Sequence, residues 1–281
     1  MIEILADPDQ FGSEAESLLA STVRNTVPAT VLHSLRGGHF PNTGWRFALI
    51  RDPAGTVSGA ALRTPPRAML CTAIAGPDAG ALMSAWLPTD PELPGVTAPT
   101  ETARLLATAY RAQTGGASEL RTSMALHAVA PEELVDPPRP ATGRLRAVWA
   151  QERELVVDWY LAFVAESEIE EPTAAARRAA LSRIERELLF VWDDGGEAVS
   201  LIGRTVAVAG VPRIGPVYTP PALRGHGYAS TAVAALSRTM FAEGARRIVL
   251  FTDLANPTSN KIYRDVGYRR LADYEEHVLR S

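Results

Sequence analysis

Three groups of residues in this chain have types and spacings that could do chemistry. Arg224, Gly225, His226, Gly227, Tyr228, Ala229 and Ser230 form a glycine-flanked turn. It lies between a strand stopped by Pro220 and Pro221 and a helix whose apolar face is Val233, Leu236 and Met240. Such a turn aims several backbone N–H groups at one point, and the helix adds unpaired donors and the positive end of its dipole; the guest it suits is a phosphate or pyrophosphate. The second group is Asn256, Ser259, Asn260, Tyr263, Gly267 and Tyr268, which presents a phenol from a short helix. The third is a set of strand-end groups that could take a proton, Glu187, Tyr218 and Asp253.

A Gly-x-Gly turn alone has several readings. A dinucleotide fingerprint wants a third glycine where Ser230 stands; Asp253 lies near the distance of its acidic residue, but Pro220, Pro221 and Arg224 fit poorly. A Walker loop fails because no Gly-Lys-Ser or Gly-Lys-Thr follows. The stretch from Arg224 to Ala229 resembles the Arg/Gln-x-x-Gly-x-Gly/Ala pyrophosphate loop of the GNAT N-acetyltransferase superfamily. One helix and one strand later, the residues from Asn256 to Tyr268 are similar to that family's Asn-x-x-Ala-x-x-x-Tyr-x-x-x-Gly-Phe/Tyr block, with Ser259 where alanine is usual.

The resemblance implies a mixed-sheet α/β fold that binds acetyl-CoA as cosubstrate and passes its acetyl group directly to a primary amine of a small molecule or peptide. Backbone groups of Val217, Tyr218 and Thr219 would hold the pantetheine arm, and the loop from Arg224 to Ser230 the pyrophosphate. Arg224 either adds a charged donor or pairs with a surface carboxylate. Tyr263 matches the general acid that protonates the departing thiolate, against a bland reading as a helix aromatic packed on the sheet. Asn256 and Asn260 would bond the cofactor or cap the helix carrying Tyr263, and Ser259 could also cap. The base is open among Glu187, Tyr218, Asp253 and a water chain; Asp193 and Asp194 read as solvated turn residues. Ser200 and Arg204 could line the acceptor cleft. The rival reading is a noncatalytic acyl-CoA-binding regulatory module, which has no need of a general acid. A less favoured one is a transferase using a longer acyl chain or a hydroxyl acceptor.

Composition narrows the field. The 281 residues suit two domains, and the net charge of −4 lacks the concentrated basic surface that nonspecific nucleic-acid binding needs. No stretch approaches a bilayer span, and the first residues, with Glu3, Asp7 and Asp9, do not read as a secretory leader; a cytoplasmic protein is expected. The single cysteine, Cys71, sits in an apolar run and reads as a buried thiol. Histidines 33, 39, 127, 226 and 277 show no metal-ligand spacing, so no metal is expected, and His226 reads as solvent-facing. The partner expected is the amine substrate or, if the chain associates, a homodimer; neither nucleic acid nor membrane is expected.

These groups need elements to position them. Helical spacing over 10–24 is followed by strands at Trp45–Ile50, Val57–Leu62 and Ala68–Ile74, an antiparallel meander. Helices follow at Asp78–Trp86 and Thr100–Arg111, with Thr100 as N-cap, and Glu119–Ala128 closes the sheet. This order echoes the second half of the chain, so residues 1–130 read as a degenerate GNAT-like domain. Its counterpart of the phosphate loop, Gly95–Glu101, lacks Gly-x-Gly and carries a carboxylate at the helix start, which opposes CoA binding. Residues 131–144, rich in proline, read as a stiff linker. In the catalytic domain, 145–281, the expectation is a short strand at Leu145–Val148, helices at Glu152–Ala165 and Thr173–Glu187, and strands at Leu188–Trp192, Val199–Val208, Arg213–Thr219 and Arg247–Phe251.

Overall fold

The computed structural model describes residues 1–38, 44–167 and 172–280; His39 lies outside them. The chain divides into two compact units. The first comprises Met1–Leu126, Phe251–Ala255 and the chain from Arg270 onward, the second His127–Leu250 and Asn256–Arg269. Residues 251–255 and 270–280 thus fall with the first unit, where the sequence reading kept them in the second.

In chain order the first unit contributes β1 (Ile2–Leu5), α1 (Pro8–Ser21), α2 (Thr26–Arg36), β2 (Arg46–Arg51), β3 (Val57–Arg63), β4 (Met69–Cys71), α3 (Gly76–Trp86), β5 (Gly95–Pro99), α4 (Thr100–Thr114) and β6 (Ala117–Val129). The expected meander is present as antiparallel β2, β3 and β4; β1 pairs with β2, and β5 runs parallel to β4. Trp86, Met69, Leu82 and Leu106 fill its core between the sheet and α3 and α4. Cys71 lies in that cluster, and burial pushes its thiol up to about 12, so it stays protonated and inert.

The second unit contributes β7 (Arg144–Ala147), α5 (Arg153–Glu166), α6 (Thr173–Glu185), β8 (Leu189–Asp194), β9 (Glu197–Arg204), β10 (Ile214–Tyr218), α7 (Tyr228–Ala242), the first half of β11 (Ile248–Asp253), whose residues from Phe251 fall with the first unit, and α8 (Pro257–Asp265). The last strand, β12 (Arg269–Arg280), pairs antiparallel with β5 in the first unit, His277 opposite Val96. A four-stranded antiparallel sheet, β10-β9-β8-β7, forms the frame of the second unit. Alternation along its strands separates two apolar faces. Leu189, Val191, Leu201 and Tyr218 pack with Val156 and Val157 of α5 and Ala176 and Ala180 of α6. Trp192, Ile202 and Ile214 pack with Val233, Leu236 and Met240 of α7 and with Tyr263 of α8.

Residues 131–144, expected as a spacer, are tied into this unit. Trp192 Nε1 donates to the Thr142 carbonyl (2.8 Å), the Ala141 N–H donates to Thr231 Oγ1 (2.9 Å), and the Val135 N–H reaches the Val266 carbonyl (3.3 Å). Proline excludes the stretch from a ladder, yet its carbonyls and remaining amides still need partners, and two side chains and one backbone carbonyl of the unit supply them here. No helix of the described residues is long and apolar enough to cross a membrane.

Candidate functional site

The turn between β10 and α7 leaves a run of amides free. Leu223 and Arg224 donate back to Pro220 and Pro221 in a single helical turn, and the first bond of α7 is Thr231 N–H to the Gly227 carbonyl (3.0 Å). Between them, the N–H groups of residues 225–230 have no acceptor among the described residues. Gly225 (φ +85°) and Gly227 (φ +80°) make this possible, because both take left-handed backbone that turns successive amides outward. Ser230 Oγ and Thr231 Oγ1 both donate to the Gly227 carbonyl at 2.9 Å, fixing the first turn. A run of free N–H groups at a helix N-terminus suits an anionic group such as a phosphate.

The two glycines serve different purposes. A β-carbon on Gly225 would meet nothing within 4 Å, which leaves that face open to a ligand. On Gly227 it would lie 2.7 Å from the Arg139 carbonyl oxygen. Gly227 therefore also makes room for the 139–141 segment of the chain itself.

β10 supplies the second part of the site. It pairs with β9 in a register that shifts between Ile214 and Val217, a bulge over Gly215 and Pro216. On its other side the strand is joined to Val249 by a single parallel bridge from Arg213, after which it is the edge of its sheet. An edge strand offers backbone donors and acceptors to an extended guest, as the pantetheine reading of Val217, Tyr218 and Thr219 requires. Two of these carbonyls already accept a side-chain bond: Tyr218 from Ser200 Oγ (3.0 Å) and Thr219 from Arg224 Nε (2.9 Å). Ser200, fully buried, thus braces β10 and does not line an open cleft. Arg204 pairs with Glu243.

Arg224 takes the alternative of a surface ion pair. Its Nη2 lies 2.9 and 2.7 Å from the two carboxylate oxygens of Glu166, at the end of α5. Nothing in the sequence marks Glu166, since α5 and the loop are far apart in the chain. His226 is exposed; its Nδ1 lies 3.2 Å from the Leu223 carbonyl oxygen and its ring stacks on Tyr228 with centroids 5.6 Å apart. The Tyr228 hydroxyl donates to Asp194 (2.7 Å), so Asp194 is a bonded turn residue and Tyr228 shapes the loop through its side chain.

Asn256 is the N-cap of α8: its Oδ1 accepts the Ser259 N–H at 3.0 Å. Asn260 Nδ2 donates to the Asn256 carbonyl (2.8 Å), so both asparagines shape the helix start. Tyr263 is 8% exposed, edge-on to Tyr268 with centroids 6.2 Å apart. Its hydroxyl has no hydrogen-bond partner among the described residues and is not fully enclosed, which leaves its proton available. Burial pushes the phenol up to about 12. By contrast, Tyr268 is committed to Ser237 through a 2.8 Å hydroxyl pair.

The candidate bases separate. Glu187 is an exposed turn residue (φ +54°) after α6, while Asp253 falls in the first unit, where it accepts the Ala255 N–H (2.8 Å). Tyr218 lies at the end of β10, its phenol raised by burial and by the nearby Glu166 carboxylate. Asp193 is buried and bonded to Arg146 (2.6 Å), which holds its carboxyl below the usual range; it belongs to the frame.

Residues 151–268 match the model of the acetyltransferase (GNAT) family. They form a GNAT domain. The loop and the helix of Tyr263 both lie inside the matched region, so the GNAT domain contains the site just described. Solved structures extend the likeness to the whole chain. A GCN5-related N-acetyltransferase from Sphaerobacter thermophilus is 16% identical, with a TM-score of 0.63 over 99% of this chain and 95% of that one. A tandem GNAT protein from the clavulanic acid biosynthesis pathway is 15% identical, with a TM-score of 0.59 over 100% and 98%. An acetyltransferase of the GNAT family from Colwellia psychrerythraea is 11% identical, with a TM-score of 0.59 over 100% of both chains. At these identities the likeness is one of fold, and the fold is that of a tandem GNAT protein. No curated protein matches the chain. Among the described residues no three His, Cys, Asp or Glu side chains converge as metal ligands.

Proposed function

We propose that this chain is an acetyl-CoA-dependent N-acetyltransferase acting on a primary amine of a small molecule or peptide in the cytoplasm. The observation that carries the reading is the run of unpaired amides at residues 225–230, opening α7 inside a matched GNAT domain. These amides bind the pyrophosphate; the outer edge of β10 takes the pantetheine arm and turns an N–H toward the thioester oxygen, a donor worth about 3 kcal/mol in comparable sites. Acetyl-CoA supplies the activated acyl group. Tyr263 keeps a proton on its hydroxyl oxygen, held there by its raised pKa, and gives it to the departing thiolate, the unpartnered hydroxyl leaving that proton free to move. The same features weigh against a noncatalytic acyl-CoA-binding module. The first unit contributes structure and no cofactor site.

The deciding experiment is calorimetric titration of the full chain with acetyl-CoA, CoA and NADH. Micromolar binding of the two CoA species and none of NADH is expected, followed by amine-dependent thiol release. Absence of CoA binding would overturn the proposal.

A further inference from the structure

Two helix ends of opposite polarity are joined by one ion pair in the GNAT domain. α7 opens at the loop, where the free amides of residues 225–230 and the helix dipole make a positive end. α5 closes at Glu166, the negative end of its own dipole. No lysine, arginine or histidine lies in the last turn of α5, so the Glu166 carboxylate adds negative charge where a helix already favours a cation.

Arg224 connects the two ends. Its Nη2 holds both carboxylate oxygens of Glu166 (2.9 and 2.7 Å), its Nε donates to the Thr219 carbonyl (2.9 Å), and its guanidinium carbon lies 5.8 Å from the centre of the Tyr218 ring. The Glu166 carboxylate thus stands one guanidinium away from the end of the strand that the acetyl-transfer reading gives to the cofactor arm. Both side chains are about half exposed, 49% for Arg224 and 48% for Glu166, so a ligand can reach either, and the pair is weak enough to be exchanged. By contrast Asp194, which also touches the loop, is committed to the hydroxyls of Tyr228 (2.7 Å) and Thr142 (2.9 Å). Within the pair, Arg224 is the cation at the end of α5 and Glu166 is the anion on the arginine of the loop.

We propose that Glu166 receives the ammonium group of the acceptor amine, and that the cofactor releases it by drawing Arg224 to its pyrophosphate. The inference rests on the acetyl-transfer reading and adds to it an acceptor contact and a coupling between the two substrates. Each ligand replaces one member of the ion pair: the pyrophosphate takes the guanidinium, and the ammonium takes the carboxylate. Whichever binds first separates the pair and the second finds its partner free, so each raises the affinity for the other by the same factor. A half-exposed pair sets that factor at about threefold. An acceptor with a hydroxyl in place of the ammonium leaves the carboxylate without a counter-charge, so the site favours cationic amines.

The test is calorimetric titration of the full chain with CoA in butylammonium chloride, against sodium chloride at equal ionic strength and against 1-butanol, which has the same apolar chain without the charge. CoA affinity should rise about threefold in butylammonium and stay unchanged in 1-butanol. Glu166→Gln should bind CoA more tightly from the start and lose the response to butylammonium. Arg224→Gln should bind CoA less tightly and lose the response as well. Both side chains are half exposed, and should one variant fail to fold the other decides. CoA binding that does not respond to butylammonium in the parent protein overturns the exchange. So does an equal response to 1-butanol, or a response of parental size in either variant. Absence of CoA binding in the parent protein is a different result, since it sinks the acetyl-transfer reading and this inference with it.

Discussion

Each unit carries a strand whose next helix in the chain packs in the same unit, and the two junctions differ. In the first, β5 ends at Pro99 and α4 begins at Thr100 with no residue between them. Pro99 is the cap and makes no side-chain bond, so the expected Thr100 cap is displaced by one residue; Glu101 lies in the first turn, and Thr102 Oγ1 takes the Ile74 N–H (3.1 Å). In the second, residues 219–227 intervene between β10 and α7, and two left-handed glycines turn six amides outward. Strand-then-helix order alone therefore does not make an anion site. The local requirements are glycine at positive φ and a first turn free of carboxylates.

The largest expected effect comes from removing that distinction. Gly227→Val puts a branched side chain at φ +80° and its β-carbon against the Arg139 carbonyl. The backbone term alone is about 1–2 kcal/mol, and the clash adds to it. Calorimetry should show CoA affinity falling by roughly 10²-fold or more, with a lowered melting temperature. Because the damage passes through the 139–141 segment, Gly225→Ala is the sharper probe: it meets no neighbour, so its effect reports the left-handed backbone and the ligand alone.

Next in size is Tyr263→Phe. It removes only the unpartnered hydroxyl, so the fold and CoA affinity should be unchanged while turnover slows by about 10²-fold. Equal damage to affinity and rate would count against the acid role. Burial raises the phenol to about 12, so the proton is retained at every pH below that value. The pH–rate profile should accordingly show no descending limb from this group between pH 7 and 10; one that disappears in Tyr263→Phe would contradict the assignment.

A smaller effect is expected where the charge of the loop is cancelled. Arg224 spends its guanidinium on Glu166, and both side chains are about half exposed, which limits the pair's strength. Glu166→Gln should free Arg224 for the pyrophosphate and raise CoA affinity a few-fold at low salt, with the gain shrinking as salt is added.

The elements around the loop were legible in the sequence because their signals are local: prolines stop β10, glycines mark the turn, and Val233, Leu236 and Met240 repeat at helical spacing. The helix of Tyr263 was legible for the same reason, although choosing Asn256 as its cap needed the distance to Ser259. What escaped were pairings distant in sequence. Glu166 meets Arg224, residues 139–142 pack on α7 and β8, and β12 leaves its neighbours in sequence to pair with β5. Proline-rich composition correctly excluded 131–144 from a ladder, but it is silent on side-chain donors such as Trp192 Nε1 that hold such a stretch in place. Ser200 failed for a related reason, since strand alternation leaves open which face is buried.

The smallest effect should be in the first unit. If a carboxylate at the helix start were all that kept α4 from binding an anion, Glu101→Gln would create a CoA site. It should not, because α4 starts immediately after Pro99 and no glycine turns a run of amides outward before it. Titration of Glu101→Gln should give the same CoA stoichiometry as the parent protein. A second binding event would show that charge had been the barrier and that the backbone geometry of the second unit's loop is less decisive than the comparison holds. An unchanged stoichiometry, together with loss of binding in Gly227→Val, would place the difference between the two units in the residues that separate strand from helix.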